Sequence, residues 1–285
     1  MNFNKFKEIL NEEVFERSKS DLLEKISDKP ERYVGLFRPT KPKAKILQNL
    51  LQSQEIKFGD AFEKLIESYL IENGFIILPK KISGEKVNES LIIDQYFKIK
   101  EKIYFIEQKI RDDHDSTKKR GQIENFKKKL IAVKKIYKDN EITGIIYFVD
   151  PDLMKNKNYY KKELISLSEY YKINTYLFYG KDIFSYLKVP YIWDEIVEHL
   201  KSWKTVVPGL PEVNFDLTPE VVFNEIKDLS VAVFRKLLSN DEVYNQILLT
   251  LFPEGKTLRL LLNYFKNKKL PIYLKLSELL EKRLR

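Results

Sequence analysis

The chain has no cysteine and only two histidines among its 285 residues. Without cysteine there can be no disulfide, cysteine nucleophile or thiolate zinc site, and His114 and His199 are too few for a histidine-rich metal centre. No apolar run approaches the roughly 20 residues that a membrane-spanning helix needs. The polar start MNFNKFKEILNEEVF is unlike a secretory signal. We therefore expect a soluble cytoplasmic protein with no membrane partner.

The composition is that of a folded, basic protein. Hydrophobic residues make up 43% and aromatic residues 13% of the chain, enough for a buried core in one large domain or a core with appendages. The net charge is +9, and the segment 111–138 alone holds ten Lys or Arg against four acids. Lysine-rich chains are often basic without a functional reason, but charge concentrated in one segment favours a polyanionic partner and salt-sensitive contacts.

The order of patterns along the chain predicts a mixed α/β (α+β) core with helical additions. We expect a helical region at 1–55 with a basic loop RPTKPKAK, a core at 56–203, and a helical region at 204–285 that is a candidate for reading the polyanionic partner. Within the core, the predicted elements are a helix starting at Asp60 and stopping at Gly74, a hairpin over 90–110, a helix over 117–138, and buried strands at 142–150 and 173–180. This alternation favours a mixed β-sheet flanked by helices.

The hairpin brings three charged residues onto one face of the sheet. Glu107 and Lys109 are two apart in an apolar strand, so their side chains point the same way. A two-residue loop at 100–101 would place Asp94 opposite Glu107, and a four-residue loop would place it opposite Lys109. A three-residue loop without a bulge would move Asp94 to the other face.

This cluster has the composition of a phosphodiesterase site. Two adjacent carboxylates stay ionised most easily around a divalent cation, and Mg²⁺ needs only one or two carboxylates besides water and phosphate. Such an ion activates water, and the lysine would position that water and offset charge at the scissile phosphate. Glu-x-Lys occurs four times in the chain, but only at 107–109 does it lie in an apolar strand preceded by an aspartate at hairpin spacing. The alternative is a surface cross-strand ion pair.

The arrangement IID(94)…E(107)QK(109) resembles the PD-(D/E)XK nuclease superfamily, and the run EQKIRDDHDSTKKRGQ is similar to its type II restriction endonucleases. The resemblance covers roughly residues 56–190, with Ile93 where the motif has proline. It implies a restriction-endonuclease-like fold. It also implies that Asp94 and Glu107 bind Mg²⁺, for which Mn²⁺ would substitute, and that Lys109 is the catalytic lysine. An extra acid from the preceding helix would be Glu63 or Glu67, although each alone suits a solvated helix position.

Residues that follow the motif have less specific interpretations. Asp112, Asp113 and Asp115 could reach a second metal, but a turn and an N-cap at 115 or 116 is the simpler role. His114 suits a general base or an exposed position in a polar turn. Predicted DNA-binding residues lie in the basic loop and near the start of the following helix: Arg38, Lys41, Lys43 and Lys45, then Lys118, Lys119, Arg120 and Gln122.

We therefore interpret the chain as a prokaryotic type II restriction endonuclease that cuts double-stranded DNA at a short site. A homodimer is expected if the site is palindromic, and the resemblance implies a cognate DNA methyltransferase. The alternatives are a DNA repair nuclease or junction resolvase of the same superfamily, and a non-catalytic DNA-binding protein whose Asp/Glu/Lys cluster is structural.

Overall fold

The computed structural model describes residues 1–85 and 88–284. Its helices are α1 (Phe3–Phe15), α2 (Ser18–Asp28), α3 (Glu31–Val34), α4 (Pro42–Glu72), α5 (Ser116–Ile136), α6 (Lys157–Tyr171), α7 (Asp182–Tyr186), α8 (Tyr191–Lys204), α9 (Pro219–Ile226), α10 (Val231–Ser239), α11 (Asp241–Val243), α12 (Leu249–Leu251), α13 (Lys256–Asn267) and α14 (Pro271–Leu284), with a 3-10 turn at Phe215–Leu217 and a π-helical turn at Tyr244–Leu248. Its strands are β1 (Ile76–Ile77), β2 (Lys81–Ser83), β3 (Ser90–Ile92), β4 (Gln95–Ile99), β5 (Lys102–Lys109), β6 (Ile142–Phe148) and β7 (Asn174–Tyr179).

The chain forms two compact units. The first combines Met1–Leu10 with Phe58–Val207 and contains all the strands found in the described residues. The second combines residues 11–57 with 208–284 and is helical. Because the second unit is assembled from both ends of the sequence, its core joins distant residues such as Leu50, Ile226 and Phe265. The sequence predicts a division of the chain into three regions, 1–55, 56–203 and 204–285. This division stays a prediction.

A mixed sheet forms the centre of the first unit. In the described part of the chain its five strands have the order β1-β4-β5-β6-β7. The pairs on the β1 side are antiparallel, and β5, β6 and β7 run parallel. The predicted mixed α/β architecture with flanking helices is therefore confirmed. None of the described helices is long and apolar enough to cross a membrane.

The β4–β5 hairpin has a two-residue loop, the shorter of the two loop lengths that would place Asp94 on the face of Glu107 and Lys109. Ile99 pairs with Lys102, and Lys100 between them adopts a left-handed conformation with φ 52°. Gln95 pairs with Ile106 at the other end of the hairpin. Continuing this register by one residue places position 94 opposite 107, on the same face of the sheet.

Helix α4 differs from the prediction. A helix start at Asp60 is wrong, because α4 runs without interruption from Pro42 to Glu72 and includes Asp60 in its interior. An aspartate can be exposed on a helix surface as readily as it can cap a helix, so its identity does not decide between the two. The predicted stop is confirmed, since Gly74 has φ 78° just beyond the last turn.

Helix α5 covers the sheet face that carries the odd-numbered residues of β5. Asp115 is its N-cap and accepts hydrogen bonds from the backbone N–H groups of Thr117 at 3.0 Å and Lys118 at 2.8 Å, which confirms the capping interpretation. The rings of Phe105 and Phe126 lie 5.1 Å apart, centre to centre, in the core between sheet and helix.

Because Gly144 on β6 has no side chain, the two rings can occupy the space next to its Cα. A Cβ at this position would lie 2.6 Å from Cζ of Phe105 and 2.9 Å from Cζ of Phe126. We expect Gly144→Ala to lower the free energy of unfolding by about 1–3 kcal/mol, the usual cost of overpacking a core. Urea denaturation measures this, and Gly121→Ala on α5 is the control. A Cβ at Gly121 meets nothing within 4 Å. Equal stabilities of the two variants would contradict the packing argument.

Candidate active site

Three charged residues lie on the α5-facing side of the β4–β5 hairpin. Asp94 immediately precedes β4, while Glu107 and Lys109 lie near the end of β5. Asp94 is 8% exposed and Glu107 is 3% exposed, so both carboxylates are buried. Nζ of Lys109 lies 3.0 Å from Oδ2 of Asp94 and 3.2 Å from Oε1 of Glu107. The structure therefore brings the three predicted site residues together.

Backbone and amide groups hold the two carboxylates in place. The backbone N–H of Gln108 donates a hydrogen bond to Oδ2 of Asp94 at 2.8 Å. Nδ2 of Asn125 on α5 donates to Oε1 of Glu107 at 3.3 Å. Because buried polar groups need hydrogen-bond partners, these contacts hold the two side chains at fixed positions.

A second lysine, Lys129 on α5, completes the cluster and is absent from the residues that the sequence predicts. Its Nζ contacts Oε2 of Glu107 and lies 3.5 Å from Oδ1 of Asp94. The residue is 3% exposed. It belongs to the buried stripe of α5 with Phe126 and Val133, at helical spacing. A lysine inside an apolar stripe is a sequence signal that this residue is buried, but it does not indicate that the stripe lies over Glu107.

A comparison with known families identifies the chain. A family model described as "Type II restriction endonuclease, HinfI" matches residues 2–92 and 77–204. The chain belongs to this family. Searches among curated proteins and among solved structures gave no match. The protein is thus a type II restriction endonuclease, a hydrolase that acts on DNA, as the resemblance implies.

The lysine of the motif is held in its charged form in this endonuclease. Burial lowers the pKa of the Lys109 ammonium, but the adjacent carboxylates of Glu107 and Asp94 outweigh that effect and raise the pKa above its ordinary value. Lys109 is therefore a cation at neutral pH, suited to offsetting negative charge and unsuited to accepting a proton.

Glu63 on α4 is the candidate third acid. Its backbone carbonyl accepts a hydrogen bond at 2.7 Å from Nε2 of Gln95, a buried residue of β4. Burial and the negative charge of Asp94 raise the pKa of the Glu63 carboxyl to about 7, against an ordinary value of 4.5. Glu67, the alternative acid, instead forms an ion pair with Lys80.

The raised pKa of Glu63 predicts a pH-dependent stability. Between pH 4.5 and about 7 the folded protein holds a proton on Glu63 that the unfolded chain releases, so stability falls as pH rises through this window. In the presence of a chelator, we expect Glu63→Gln to lose this pH dependence and to be more stable than the parent above pH 7. Thermal unfolding at several pH values measures both effects. Parallel pH profiles for the two proteins would contradict the assignment.

Type II restriction endonucleases generally use a divalent metal, and the donor set here fits one. Among the described residues no group of three or more His, Cys, Asp or Glu side chains is arranged to hold a metal. Mg²⁺ does not need such a group, because one or two carboxylates suffice when water and substrate phosphate complete its shell. Asp94 and Glu107 supply the two carboxylates. Glu63 is a third carboxyl, and a cation nearby would lower its raised pKa and favour its ionised form.

The acids after the motif have structural partners. Asp112 is fully buried. It accepts hydrogen bonds from N and Nδ2 of Asn156, each at 2.9 Å, and from the hydroxyl of Tyr179 at 2.8 Å. Asp113 is exposed and Asp115 caps α5. These contacts join the segment after β5 to the start of α6 and to β7, and they leave Asp112 with its oxygens engaged.

His114 and Gln122 contact each other near the start of α5. Nε2 of His114 lies 3.4 Å from Nε2 of Gln122. The Gln122 side-chain oxygen accepts a hydrogen bond from the hydroxyl of Tyr160. His114 is half-buried rather than exposed. The predicted DNA contact through Gln122 stays a prediction, and it would require this glutamine to exchange its partners.

The predicted DNA-binding cations lie in two places. In the first unit, Lys118 and Arg120 are exposed, and Nζ of Lys119 lies 4.6 Å from the ring centre of Tyr159. In the second unit, Lys41 and Lys43 are exposed. Arg38 and Lys45 are half-buried and line a groove of that unit.

Proposed function

We propose that the protein is a magnesium-dependent type II restriction endonuclease that cuts double-stranded DNA at a short specific sequence. The observation that carries the proposal is the contact of Lys109 with two buried acids, Asp94 and Glu107, at 3.0 and 3.2 Å. Phosphodiester hydrolysis needs ligands for a metal ion and a cation near the phosphate. The two acids would supply the ligands, and the lysine between them would supply the cation.

Each side chain of the cluster has a role in this proposal. Asp94 and Glu107 would hold the Mg²⁺ ion, with Glu63 as a further acid near it. When bound, the ion lowers the pKa of a water molecule and stabilises negative charge on the phosphate. Lys109 donates hydrogen bonds that orient the attacking water, and its positive charge offsets the charge that develops at the scissile phosphate.

Lys129 balances the carboxylates before metal and DNA bind. The negative charges of Asp94 and Glu107 are matched by the positive charges of Lys109 and Lys129. Binding of a divalent ion alone would therefore give the cluster an excess of positive charge, and the two lysines would repel the ion. An ionised Glu63 and one DNA phosphate together remove that excess. We expect the affinity for metal to be higher in the DNA complex than in the free protein.

The remaining partners follow from the proposed reaction. Cutting both strands of a palindromic site is simplest for a homodimer, because protein symmetry then mirrors that of the DNA. An endonuclease that cuts at a short sequence would also destroy the DNA of its own cell. We therefore propose a cytoplasmic enzyme paired with a DNA methyltransferase that modifies the same sequence.

Incubating plasmid DNA with the protein and Mg²⁺ tests the proposal. Discrete bands are expected, with no cleavage in the presence of a chelator and renewed cleavage when Mg²⁺ or Mn²⁺ is added back. Structure-selective nicking without discrete bands would indicate a repair nuclease or junction resolvase. A gel shift with uncut DNA in Mg²⁺ would indicate a DNA-binding protein without this catalysis.

A further inference from the structure

A basic groove lies on the helical second unit. It has a volume of about 410 Å³ and is lined by Lys25, Asp28, Lys29, Arg32, Tyr33, Arg38, Lys45, Asn49 and Gln52. Five of these nine side chains are cationic and one is acidic. They come from α2, α3, the loop after α3 and the first turns of α4, so the fold gathers charges that are up to 20 positions apart in the sequence.

The cations of this groove are not neutralised within the part of the chain that the structure describes. No ion pair involves Lys25, Lys29, Arg32, Arg38 or Lys45 there, whereas Asp28, the single acid, pairs with Lys236 at 3.1 Å. Like charges held close together repel one another, which costs stability unless an anion is bound. The uncompensated charge therefore points to a polyanionic ligand.

Two apolar side chains are exposed in the loop that supplies Arg38 to the groove. The backbone N–H of Arg38 donates to the carbonyl of Gly35 at 3.3 Å, which closes a turn with Leu36 and Phe37 at its centre. Leu36 is 90% exposed and Phe37 is 98% exposed. Because its side chain is exposed, Phe37 does not stabilise the free protein through burial of apolar surface. Its place immediately before Arg38, one of the cations that line the groove, favours a ligand that offers both phosphates and stacked apolar faces.

We propose that this groove binds the sugar-phosphate backbone of duplex DNA and that Phe37 inserts between bases from the adjoining turn. The proposal rests on the restriction function, and it assigns DNA contacts to the second unit in addition to the catalytic hairpin of the first. Cationic side chains supply the sequence-independent affinity for the backbone. Apolar wedges next to such contacts are known to unstack a base step and bend the duplex.

Binding of fluorescent duplex DNA across a range of salt concentrations tests the groove, with Ca²⁺ in place of Mg²⁺. The variant Lys29→Gln/Arg32→Gln/Lys45→Gln removes three cations. We expect the slope of log affinity against log salt to fall by about 2.7, roughly 0.9 for each lost phosphate contact. At about 0.1 M salt the affinity should fall on the order of 10²-fold.

The matched control is Arg235→Gln/Lys275→Gln/Lys282→Gln. These three exposed cations belong to the same unit, and none forms an ion pair with any described residue. The control removes the same net charge, so its salt slope should stay that of the parent protein. Equal slopes for the groove variant and the control would overturn the groove as a DNA site.

The fluorescent variant Phe37→Trp tests the insertion. It should show quenching on DNA addition that is absent from the parent protein, whose only tryptophans are Trp193 and Trp203. Phe37→Ser should weaken DNA binding without changing the salt slope. Fluorescence of Phe37→Trp that does not change with DNA would overturn the insertion. So would a Phe37→Ser variant that converts a dimer to a monomer without DNA, because the turn would then contact a second copy of the chain.

The outcomes separate this proposal from the proposed function. If the parent protein binds DNA through the groove but cuts nothing in Mg²⁺, the restriction function fails and the groove assignment stands. If the parent protein cuts DNA while the groove variant binds and cuts equally well, the groove assignment fails and the restriction function stands.

Discussion

Replacing Asp94 with asparagine should reduce single-turnover DNA cleavage on the order of 10³-fold or more, the effect of removing a group that stabilises the transition state directly. The substitution keeps the shape of the side chain and an oxygen for the N–H of Gln108, but it removes a charge that is proposed to bind the metal and leaves Lys109 and Lys129 facing one acid. Lys109→Ala should have a similar effect, because the scissile phosphate would lose the cation that is proposed to face it. DNA affinity without divalent ions should change little in either variant.

Asp113→Asn is the control for this experiment. Asp113 lies four residues after Lys109, is exposed, and loses the same charge when substituted. Its cleavage rate should match that of the parent protein. Normal cleavage by both Asp94→Asn and Lys109→Ala would remove the proposed mechanism, since the cluster would then have no catalytic role.

Replacing Lys129 with methionine should destabilise the metal-free protein by about 3–5 kcal/mol, the usual cost of removing one partner from a buried ion pair. Methionine retains the length and apolar stem of lysine, but Glu107 then loses the ammonium that contacts Oε2. Because a cation can take the place of that ammonium, added Mg²⁺ should stabilise the variant more than the parent. Urea denaturation with chelator and with Mg²⁺ measures both effects.

Lys135→Met is the matched control on the same helix. Lys135 is exposed, and no ion pair connects it to any other described residue. Its substitution should leave the free energy of unfolding nearly unchanged with or without Mg²⁺. The proposed role of Lys129 is contradicted if Lys129→Met is as stable as Lys135→Met in chelator, or if Mg²⁺ stabilises the two variants equally.

The hairpin that carries the cluster could be predicted because its geometry is local. Side chains alternate between the faces of a strand, so the two-residue loop at 100–101 fixes which residues face Asp94. The sequence leaves only the loop length open, and the structure has the shorter one. The N-cap at Asp115 and the stop at Gly74 were predictable for the same reason, since each depends on a few adjacent residues.

Features that depend on tertiary packing could not be predicted. Lys129 enters the cluster because the buried stripe of α5 lies over β5, and charge content alone does not distinguish it from its neighbours Lys127 and Lys128. The basic groove combines Lys29 with Lys45 through the packing of α2, α3 and α4. The pairing of 11–57 with 208–284 in one unit has no local signal at all.

In the proposed mechanism, Asp94 and Glu107 hold a divalent ion while Lys109 faces the DNA backbone. A crystal structure with duplex DNA and Ca²⁺ tests it most directly. We expect an ion about 2.3–2.6 Å from oxygens of both carboxylates, with Nζ of Lys109 in contact with the water or phosphate beside it. An ion bound elsewhere, with Asp94 and Glu107 still paired only with Lys109 and Lys129, would contradict it.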